Sequence, residues 1–365
     1  MTSFPSYKVA AAHVAPIYHD TEKSLDKACS IIAEAARAGI QLIAFPETYL
    51  PGFPSWSNLG APTHTHEFFR KLTEVAVRLD GPEIAQLRAV ARRHDIIVSM
   101  GFNEKSAFSS TCMWNSNILI NNDGSVLNHH RKLVPTFFEK LVWANGDGAG
   151  LRVVDTHIGR IGALICGENS NPLARYTMIA QAEQLHISTY PAIAPMRPTA
   201  QAGGYDLEQA IRIRAAAHCF EGKVFNIVSS NFYDETFRRA MEPLGREVME
   251  LMENTPKSVS MILDPAGNVL GETRCADEGL CVAEINYSEV AEMRRLHDVA
   301  GYYNRFDVFN LQVDRRPLDP IHFQDPVYGA LASDRAGEQN GQGRDPAPQL
   351  PNINPRVAAL PPLDA

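Results

Sequence analysis

Short apolar runs alternate with amphipathic helical patterns along the first 300 residues, and this alternation most restricts the folds open to the chain. The apolar runs 8–12 and 40–45 are typical of buried strands, and the segment 21–38 between them repeats apolar residues at helical spacing up to Gly39. The same patterns predict further strands over 96–101, 151–156, 158–165, 186–190, 224–229, 259–263 and 280–285, and further helices over 67–79, 82–94, 172–184, 207–220 and 288–295. The alternation indicates an α/β fold.

Turn signals indicate that the sheets are not purely parallel. The Asn-Asp-Gly sequence at 122–124 separates two apolar runs, 117–121 and 126–130, which is typical of a hairpin with antiparallel strands. The segment 264–268 (Asp-Pro-Ala-Gly-Asn) is a second strong turn signal. We therefore expect mixed sheets that pack with helices in a layered sandwich.

Composition and charge exclude several classes of function. The 365 residues carry a net charge of −8, which provides no basic surface for nucleic acid or for an anionic membrane. No run approaches the roughly 20 apolar residues that span a bilayer, and residues 1–16 lack the basic region and apolar core of a secretory signal. The six cysteines are scattered without a C-x-x-C pair, which argues against a disulfide framework or a zinc ribbon and favours a reducing cytoplasm.

The C-terminal part of the chain differs in composition from the rest. From about residue 331 it is polar, and prolines recur at 346, 348, 351, 355, 361 and 362. So few apolar residues cannot offset the entropy of ordering, which predicts a tail that is flexible or draped over a neighbour. We therefore expect one folded domain over 1–315 and an extension over 316–365, flexible from about 331.

Cys166 lies where a buried strand meets a helix. The apolar pattern 160–165 ends at this residue, and Asn171 and Pro172 are typical cap and first-turn residues of the following helix. A turn of this kind exposes a nucleophile and directs backbone N–H groups at a developing anion. A nearby helix N-terminus would also lower the pKa of the thiol. The position alone is equally consistent with a buried cysteine that packs as a small hydrophobe.

Three charged residues complete the candidate site. Glu47 follows the strand pattern 41–45 in a proline-fixed loop, at a strand's carboxyl end, where α/β sheets usually build their sites. Lys132 ends a hairpin strand and would neutralise a thiolate or an anionic intermediate, while Glu139, seven residues later, would orient it. Singly, each has a plain alternative: a solvent-facing glutamate, a hydrated surface lysine, and a carboxylate at a helix start.

Together, three motifs in this order resemble those of the nitrilase superfamily of carbon–nitrogen hydrolases. They are Phe-Pro-Glu-Thr-Tyr-Leu-Pro-Gly-Phe-Pro around Glu47, Arg-Lys-Leu-Val-Pro-Thr around Lys132, and Ile-Gly-Ala-Leu-Ile-Cys-Gly-Glu-Asn around Cys166. The segments 137–148 and 301–309 resemble, respectively, the part of true nitrilases that supplies a second glutamate, and their C-terminal region. The resemblance covers about residues 6–315.

Three residues depart from the family pattern. Gly167 follows the cysteine where many nitrilases have tryptophan, Lys140 follows Glu139 where arginine is frequent, and His13 stands where glutamine is common. Gly167 should leave the core chemistry intact, since its contribution would be a backbone N–H, but should reshape the pocket. The preferred nitrile therefore does not follow from the family average.

The resemblance implies a four-layer αββα sandwich and hydrolysis of a nitrile to a carboxylic acid and ammonia. Cys166 would be the nucleophile, Glu47 the general base, Lys132 the stabiliser of negative charge and Glu139 its positioning partner. No metal or organic cofactor is implied. Alternatives are an amidase or a cyanide or nitrile hydratase of the same superfamily, or a scaffold without activity. The resemblance also implies a homo-oligomer built from dimers that extend into spirals or filaments.

Several further residues are predicted to surround the site. Substrate-binding roles are predicted for Gly167 and for four aromatic residues, for which core packing is at least as good an explanation: Tyr49, Phe53, Trp143 and Tyr190. The loops 55–65 and 192–204 are expected to shape the pocket. Glu168 is either a further site carboxylate or a helix cap. The histidines at 64, 66, 129 and 130 lack a metal-ligand pattern and are expected at the surface or the pocket rim.

Overall fold

A computed structural model of the protein describes residues 6–192, 206–255, 257–318 and Arg356. Within these residues, twelve strands form two six-stranded sheets. The strands are β1 (Ser6–His13), β2 (Leu42–Ala44), β3 (Ile97–Lys105), β4 (Met113–Ile120), β5 (Val126–Arg131), β6 (Val154–Thr156), β7 (Gly159–Ile165), β8 (Leu185–Tyr190), β9 (Phe225–Ser230), β10 (Ser260–Leu263), β11 (Val269–Arg274) and β12 (Gly279–Asn286).

Both sheets are mixed, as the hairpin signals predict. The first sheet has the order β12-β1-β2-β3-β4-β5, with β1, β2 and β3 parallel and the other pairs antiparallel. The second has the order β11-β10-β9-β8-β7-β6, with β7, β8 and β9 parallel. The parallel strands end at the same edge of their sheet, which is where α/β proteins place their sites.

The helices begin and end where the sequence supplies caps. They are α1 (Thr21–Arg37), α2 (Trp56–Leu59), α3 (His66–Val75), α4 (Pro82–His94), α5 (Pro172–Ile179), α6 (Leu207–Gly222), α7 (Glu235–Met241), α8 (Arg246–Glu253) and α9 (Ser288–Arg294). The Asp20 side chain accepts the Lys23 N–H and so caps α1, and Asn171 caps α5 in the same way. Asp95, in a left-handed conformation with φ of 52°, ends α4.

The layers follow from the apolar faces of these elements. Apolar side chains of α1 and α4 cover the outer face of the first sheet, among them Leu25, Ile32 and Leu87. Helix α6 covers the outer face of the second sheet through Ile211 and Ala215. Between the sheets lies a third core, built from both inner faces: Val9, Leu42, Ile97, Ile161, Leu185 and Ile227. The four-layer αββα sandwich is therefore confirmed, and each fully buried aliphatic side chain contributes about 1.5–3 kcal/mol to it.

The structure differs from the sequence pattern in the C-terminal third. After the turn at 264–268, β10 pairs with β11, and the apolar run near 280 forms β12, which crosses to the first sheet and pairs with β1. Strand β11 is mostly exposed and contains a glycine and two charged residues, so it has no apolar run to mark it. The short helices α7 and α8 were also missed, since they lie in a highly charged stretch. The helices predicted over 67–79 and 172–184 end earlier, at Val75 and Ile179.

No helix among the described residues is long and apolar enough to cross a lipid bilayer. The tail predicted to be flexible from about 331 lies outside the described residues except for Arg356, and the loop 192–204 lies outside them except for Ala192.

Candidate active site

Three strand ends bring the candidate residues together. Lys132 and Cys166 are the residues directly after β5 and β7, and Glu47 follows β2 by three residues. Glu47 and Lys132 thus belong to the first sheet, and Cys166 to the second. Their exposed fractions are 0%, 1% and 7%, and Glu139 is 3% exposed. The alternatives of a solvent-facing glutamate and a hydrated lysine are therefore wrong for this chain.

Lys132 bridges the two glutamates. Its Nζ donates to Glu47 Oε1 over 2.8 Å and to Glu139 Oε2 over 2.6 Å. Glu139 also accepts the backbone N–H of Thr136 over 2.8 Å and so closes a capping box at the start of a short 3₁₀ turn. Glu139 therefore fits both interpretations of the sequence, since it orients Lys132 and caps a turn.

The Cys166 thiol lies close to both carboxylates. Its Sγ, one carboxylate oxygen of Glu47 and one of Glu139 lie within 4.8 Å of one another. Glu47 Oε1 is engaged by Lys132 and by Asn115 Nδ2, which is 2.5 Å away, whereas Oε2 is buried without a hydrogen-bond partner among the described residues. Oε2 is thus the oxygen free to accept a proton.

Cys166 adopts a strained backbone conformation. Its φ is 50°, in the left-handed region, which costs a non-glycine residue about 1 kcal/mol or more. It opens a 3₁₀ turn, Cys166–Ser170, that separates β7 from α5. This is the strand-to-helix turn that the sequence predicts, with the turn itself lying between the cysteine and the helix.

Burial controls the protonation of the site. It raises the pKa of Glu47 to about 7, against the opposing charge of Lys132. It also raises the pKa of the Cys166 thiol, and the Glu47 charge adds to that rise. For Lys132, burial opposes the charge, but Glu139 and Glu47 outweigh it and hold its pKa well above the usual value. The expectation of a lowered thiol pKa is therefore wrong, because desolvation and the Glu47 charge outweigh the charge of Lys132.

The loop that carries Glu47 is held by close contacts on both sides. A Cβ at Gly101, on β3, would lie 2.1 Å from the Pro46 carbonyl oxygen and 2.6 Å from the Thr48 nitrogen, so only glycine permits this approach. Asn231 Nδ2 donates to the Glu47 carbonyl oxygen over 2.6 Å. Glu47 is thus fixed by its backbone as well as by Lys132.

Glu168 and Asn169, which lie in the turn that Cys166 opens, stabilise this turn through hydrogen bonds. Glu168 accepts the backbone N–H groups of Ile165 and Leu133 and a hydrogen bond from the His130 ring. Asn169 Nδ2 donates to the Cys166 carbonyl oxygen over 3.1 Å. The sequence left the role of Glu168 open between a site carboxylate and a cap. Its carboxylate caps the turn through the N–H of Ile165, and it also joins this turn to the segment of Leu133. Sequence patterns gave no signal for Asn115 or Asn231, and they placed Asn169 in the Cys166 motif without a role, because these roles depend on contacts through space.

The predicted substrate-binding residues have different surroundings. Phe53 packs edge-on against Trp143, with ring centroids 5.4 Å apart, in a cluster that includes the partly buried Phe138. Tyr190 packs in the same apolar cluster as Cys166. Tyr49 is fully buried in the core between the first sheet and its helices, which favours packing as its role. Gly167 lies beside Thr136, since a Cβ there would be 2.9 Å from Thr136 Oγ1.

The histidines are not all where the sequence predicts them. His64 and His66 are exposed, as expected. His129 and His130 are buried, and hydrogen-bond to Glu104 and Glu168 over 2.7 and 2.9 Å, so their expected place at the surface or rim is wrong. Buried imidazoles are stable here because each faces a buried carboxylate.

Among the described residues, two groups of donor atoms lie close enough to hold a metal ion. One is Glu47, Glu139 and Cys166, where Lys132 already binds both carboxylates. The other is Glu183, His186 and His218, whose donor atoms are paired with one another. A metal would have to displace a lysine or break these hydrogen bonds, so neither group fits a resident ion.

A buried thiol beside a free carboxylate oxygen and a charged lysine is an arrangement for nucleophilic catalysis with a paired base. The family model described as carbon–nitrogen hydrolase matches residues 8–295. The chain therefore belongs to the carbon–nitrogen hydrolase family, as its three motifs predict.

The relatives carry the resemblance over nearly the whole chain. A nitrilase of Paraburkholderia phymatum is 31% identical over 348 residues, covering 93% of this chain and 95% of that protein. A bifunctional nitrilase/nitrile hydratase of Lupinus angustifolius is 32% identical over 331 residues, covering 87% and 89%. Among solved structures, the C. elegans NitFhit protein has a TM-score of 0.63 at 19% identity, covering 87% of this chain and 70% of that one, and thus shares the fold.

Proposed function

We propose that the protein is a nitrilase that hydrolyses an organic nitrile to the carboxylic acid and ammonia through a covalent bond to Cys166. The observation that carries the proposal is that the buried thiol lies within 4.8 Å of carboxylate oxygens of Glu47 and Glu139, both of which hydrogen-bond to Lys132. Nitrilases at about 30% identity over most of the chain support the choice of substrate class.

The first half of the reaction forms a thioimidate. Glu47 Oε2 accepts the thiol proton as Sγ of Cys166 attacks the nitrile carbon, and the nitrile nitrogen takes up negative charge. Because burial raises the pKa of the thiol, we place this proton transfer together with the attack instead of before it. Lys132, with the backbone N–H of Gly167, stabilises the nitrogen anion. Glu47 then returns its proton to that nitrogen.

The second half consumes two water molecules. Glu47 removes a proton from the first as its oxygen adds to the thioimidate carbon, giving a tetrahedral species with nitrogen, oxygen and sulfur on one carbon. Glu47 passes that proton to the nitrogen, which takes a second proton as the hydroxyl group of the tetrahedral species loses its own. The C–N bond then breaks, ammonia leaves, and the carbonyl of a thioester forms. The second water, activated in the same way, breaks the C–S bond, releases the acid and restores the thiol. Glu139 keeps Lys132 charged and in place throughout.

The alternative product is the amide. If the tetrahedral species loses the thiol instead of ammonia, the C–S bond breaks first and a nitrile hydratase results. The lupin relative, named for both activities, supports keeping this second candidate. An amidase would use the same residues on an amide, beginning at the tetrahedral stage.

The test combines intact mass and product analysis. A panel of aliphatic, aromatic and arylaliphatic nitriles is incubated with the protein, and a mass increase is mapped to the peptide that contains Cys166. Ammonia and amide are measured in the same samples. The proposal predicts an adduct on Cys166, ammonia as the main nitrogen product, and no turnover in Cys166→Ala. Amide alone would show a hydratase, and turnover that survives in Cys166→Ala would remove the catalytic assignment.

The surroundings of the reaction complete the proposal. We assign pocket-wall roles to Phe53, Trp143 and Tyr190. For Tyr49, which is fully buried in the core beside the first sheet, we propose a packing role that supports the segment carrying Glu47. The hydrolase domain is proposed to span 1–315 and the extension 316–365. The family resemblance supports a homo-oligomer built from dimers that extend into spirals. The six free cysteines support a cytoplasmic location. Light scattering across a concentration series tests the assembly.

A further inference from the structure

A hydrogen-bonded chain of buried side chains begins at the backbone of Cys166. Asn169 Nδ2 donates to the carbonyl oxygens of Leu164 and Cys166, 3.3 and 3.1 Å away. Since two acceptors face this end of the amide, the end must be the NH₂ group. The Oδ1 end therefore accepts, from Ser188 Oγ over 3.2 Å and from His186 Nε2 over 3.0 Å.

The chain continues from His186 to a buried carboxylate. His186 Nδ1 lies 2.7 Å from Glu183 Oε1, and His218 Nε2 lies 2.8 Å from Glu183 Oε2. All three side chains are fully buried. A Cβ at Gly162, on β7, would lie 2.1 Å from Glu183 Oε1, so glycine is required for the carboxylate to lie there.

The positions of these partners determine the protons on His186. Its Nε2 faces the Asn169 oxygen, which has no hydrogen to give, so Nε2 must carry one. Its Nδ1 faces Glu183, and an ionised carboxylate only accepts, so Nδ1 must carry one too. A ring with both nitrogens protonated is a cation, and Glu183 is the anion that pairs with it.

We propose that His186 is a buried imidazolium which, with Glu183 and Asn169, holds the backbone of Cys166 in the conformation that presents its thiol. The three are positioning residues, and the proposal rests on Cys166 being the nucleophile of the proposed function. None of them touches the reacting atoms. They act on the strained turn, where a shift of about 1 Å can cost about 100-fold in rate.

The charges around the chain agree with this assignment. Burial alone would raise the pKa of Glu183, but the charges of His186 and His218 and their hydrogen bonds bring it to about 2. Burial and repulsion from His186 lower the pKa of His218 to about 4, despite Glu183. The lowered pKa of Glu183 makes it the anion of the cluster, and the contacts of both His186 ring nitrogens place the pairing proton on that ring.

The first test reads the protons directly. In protein with ¹⁵N-labelled histidine at neutral pH, the His186 resonances, assigned by their loss in His186→Gln, should both show protonated nitrogens. Glu183→Gln is the matched variant, because its amide donates to a neutral His186 Nδ1 and accepts from His218, keeping every hydrogen bond but no charge. There one His186 nitrogen should lose its proton. A neutral His186 in the wild-type protein, or identical spectra in the two proteins, overturns the imidazolium.

The second test reads the position of the thiol. Asn169→Leu, close in shape but unable to donate, should lower kcat on an active nitrile about 100-fold with KM within about threefold. It should also slow alkylation of Cys166 by iodoacetamide, followed peptide by peptide. Ser188→Ala removes the other donor to Asn169 Oδ1 and should leave both rates within about threefold. Equal losses in the two variants, or no loss in Asn169→Leu, contradict the positioning role.

The two tests separate this proposal from the proposed function. Alkylation of Cys166 and the histidine spectrum need no turnover. They therefore still decide the role of Asn169, His186 and Glu183 if no nitrile is hydrolysed. The wild-type spectrum with assignment from His186→Gln also decides the charge of His186 if Asn169→Leu does not fold.

Discussion

The Glu168 carboxylate accepts the backbone N–H of Leu133 over 2.6 Å, and this bond joins the segment that carries Lys132 to the one that carries Cys166. The same carboxylate accepts the N–H of Ile165, 2.7 Å away, and a hydrogen bond from His130. Lys132 follows a strand of one sheet and Cys166 a strand of the other. Glu168 is therefore a direct link across the sandwich at the site itself.

Replacing Glu168 with glutamine should weaken this link. One amide oxygen cannot serve two N–H groups and His130 as a carboxylate does, and each lost bond to a charged group costs about 1.5–3 kcal/mol. We expect a loss of about 2 kcal/mol in the free energy of unfolding and at least a tenfold lower kcat, measured by urea denaturation and steady-state kinetics. Glu34→Gln, on the exposed side of α1, is the control and should change neither. A Glu168 variant as active as that control would show that the link does not set the site geometry.

The pH dependence of kcat/KM should reveal Glu47. The carboxylate must be ionised to accept the thiol proton, and its pKa is raised to about 7. Activity should therefore rise with pH through about 7, and fall on the acid side of it. Glu47→Gln should lose about 10²–10⁴-fold in kcat while the protein stays folded, as circular dichroism would show. An acid limb centred near the ordinary glutamate pKa would contradict the assignment.

Lys132 should be required for stability as well as turnover. In Lys132→Met, Glu47 and Glu139 face each other in a buried site without a counter-charge, and breaking a buried pair costs about 3–5 kcal/mol. Thermal unfolding should record that loss, and turnover should vanish. Lys132→Met with Glu139→Gln should recover part of the stability, since one buried charge is removed, but no activity. Recovery of turnover in the double variant would mean that Lys132 only balances charge.

Gly167 should be coupled to Thr136. A methyl group at 167 would lie 2.9 Å from Thr136 Oγ1, and that oxygen accepts the N–H of Glu139 in the capping box. Gly167→Ala should therefore displace Thr136, loosen Glu139 and lower kcat about tenfold. The double variant with Thr136→Ala should be no worse than Thr136→Ala alone, a non-additivity that kinetics on the four proteins measures. If the losses in kcat of the two single variants add in the double variant, Gly167→Ala does not act through Thr136.

The sequence predicted the parts of the site that lie at strand ends. Cys166, Glu47 and Lys132 each follow an apolar run, so a strand pattern and its end locate them within a residue or two. Only the family resemblance predicted that these three residues lie close together, because no pattern in a single sequence indicates that two sheets face each other.

Other features escaped prediction for physical reasons. His129 and His130 look like surface residues until Glu104 and Glu168, from distant segments, pair with them. The prediction of a lowered pKa for the Cys166 thiol was wrong, because a sequence reveals a nearby helix but not how deeply the thiol is buried. Strand β11 is exposed at a sheet edge and needs no apolar residues, so hydrophobic periodicity cannot find it.

Glu47 and Cys166, the proposed base and nucleophile, follow strands of different sheets, so no short stretch of chain fixes the gap between them. The thickness of the aliphatic layer between the sheets acts as the spacer, and close packing transmits any change in it. Resizing a side chain such as Leu42 or Ile161, which lies in that layer, alters how far the proton must travel. Rate in this enzyme is thus open to tuning from its interior, without a change to any residue that meets the substrate.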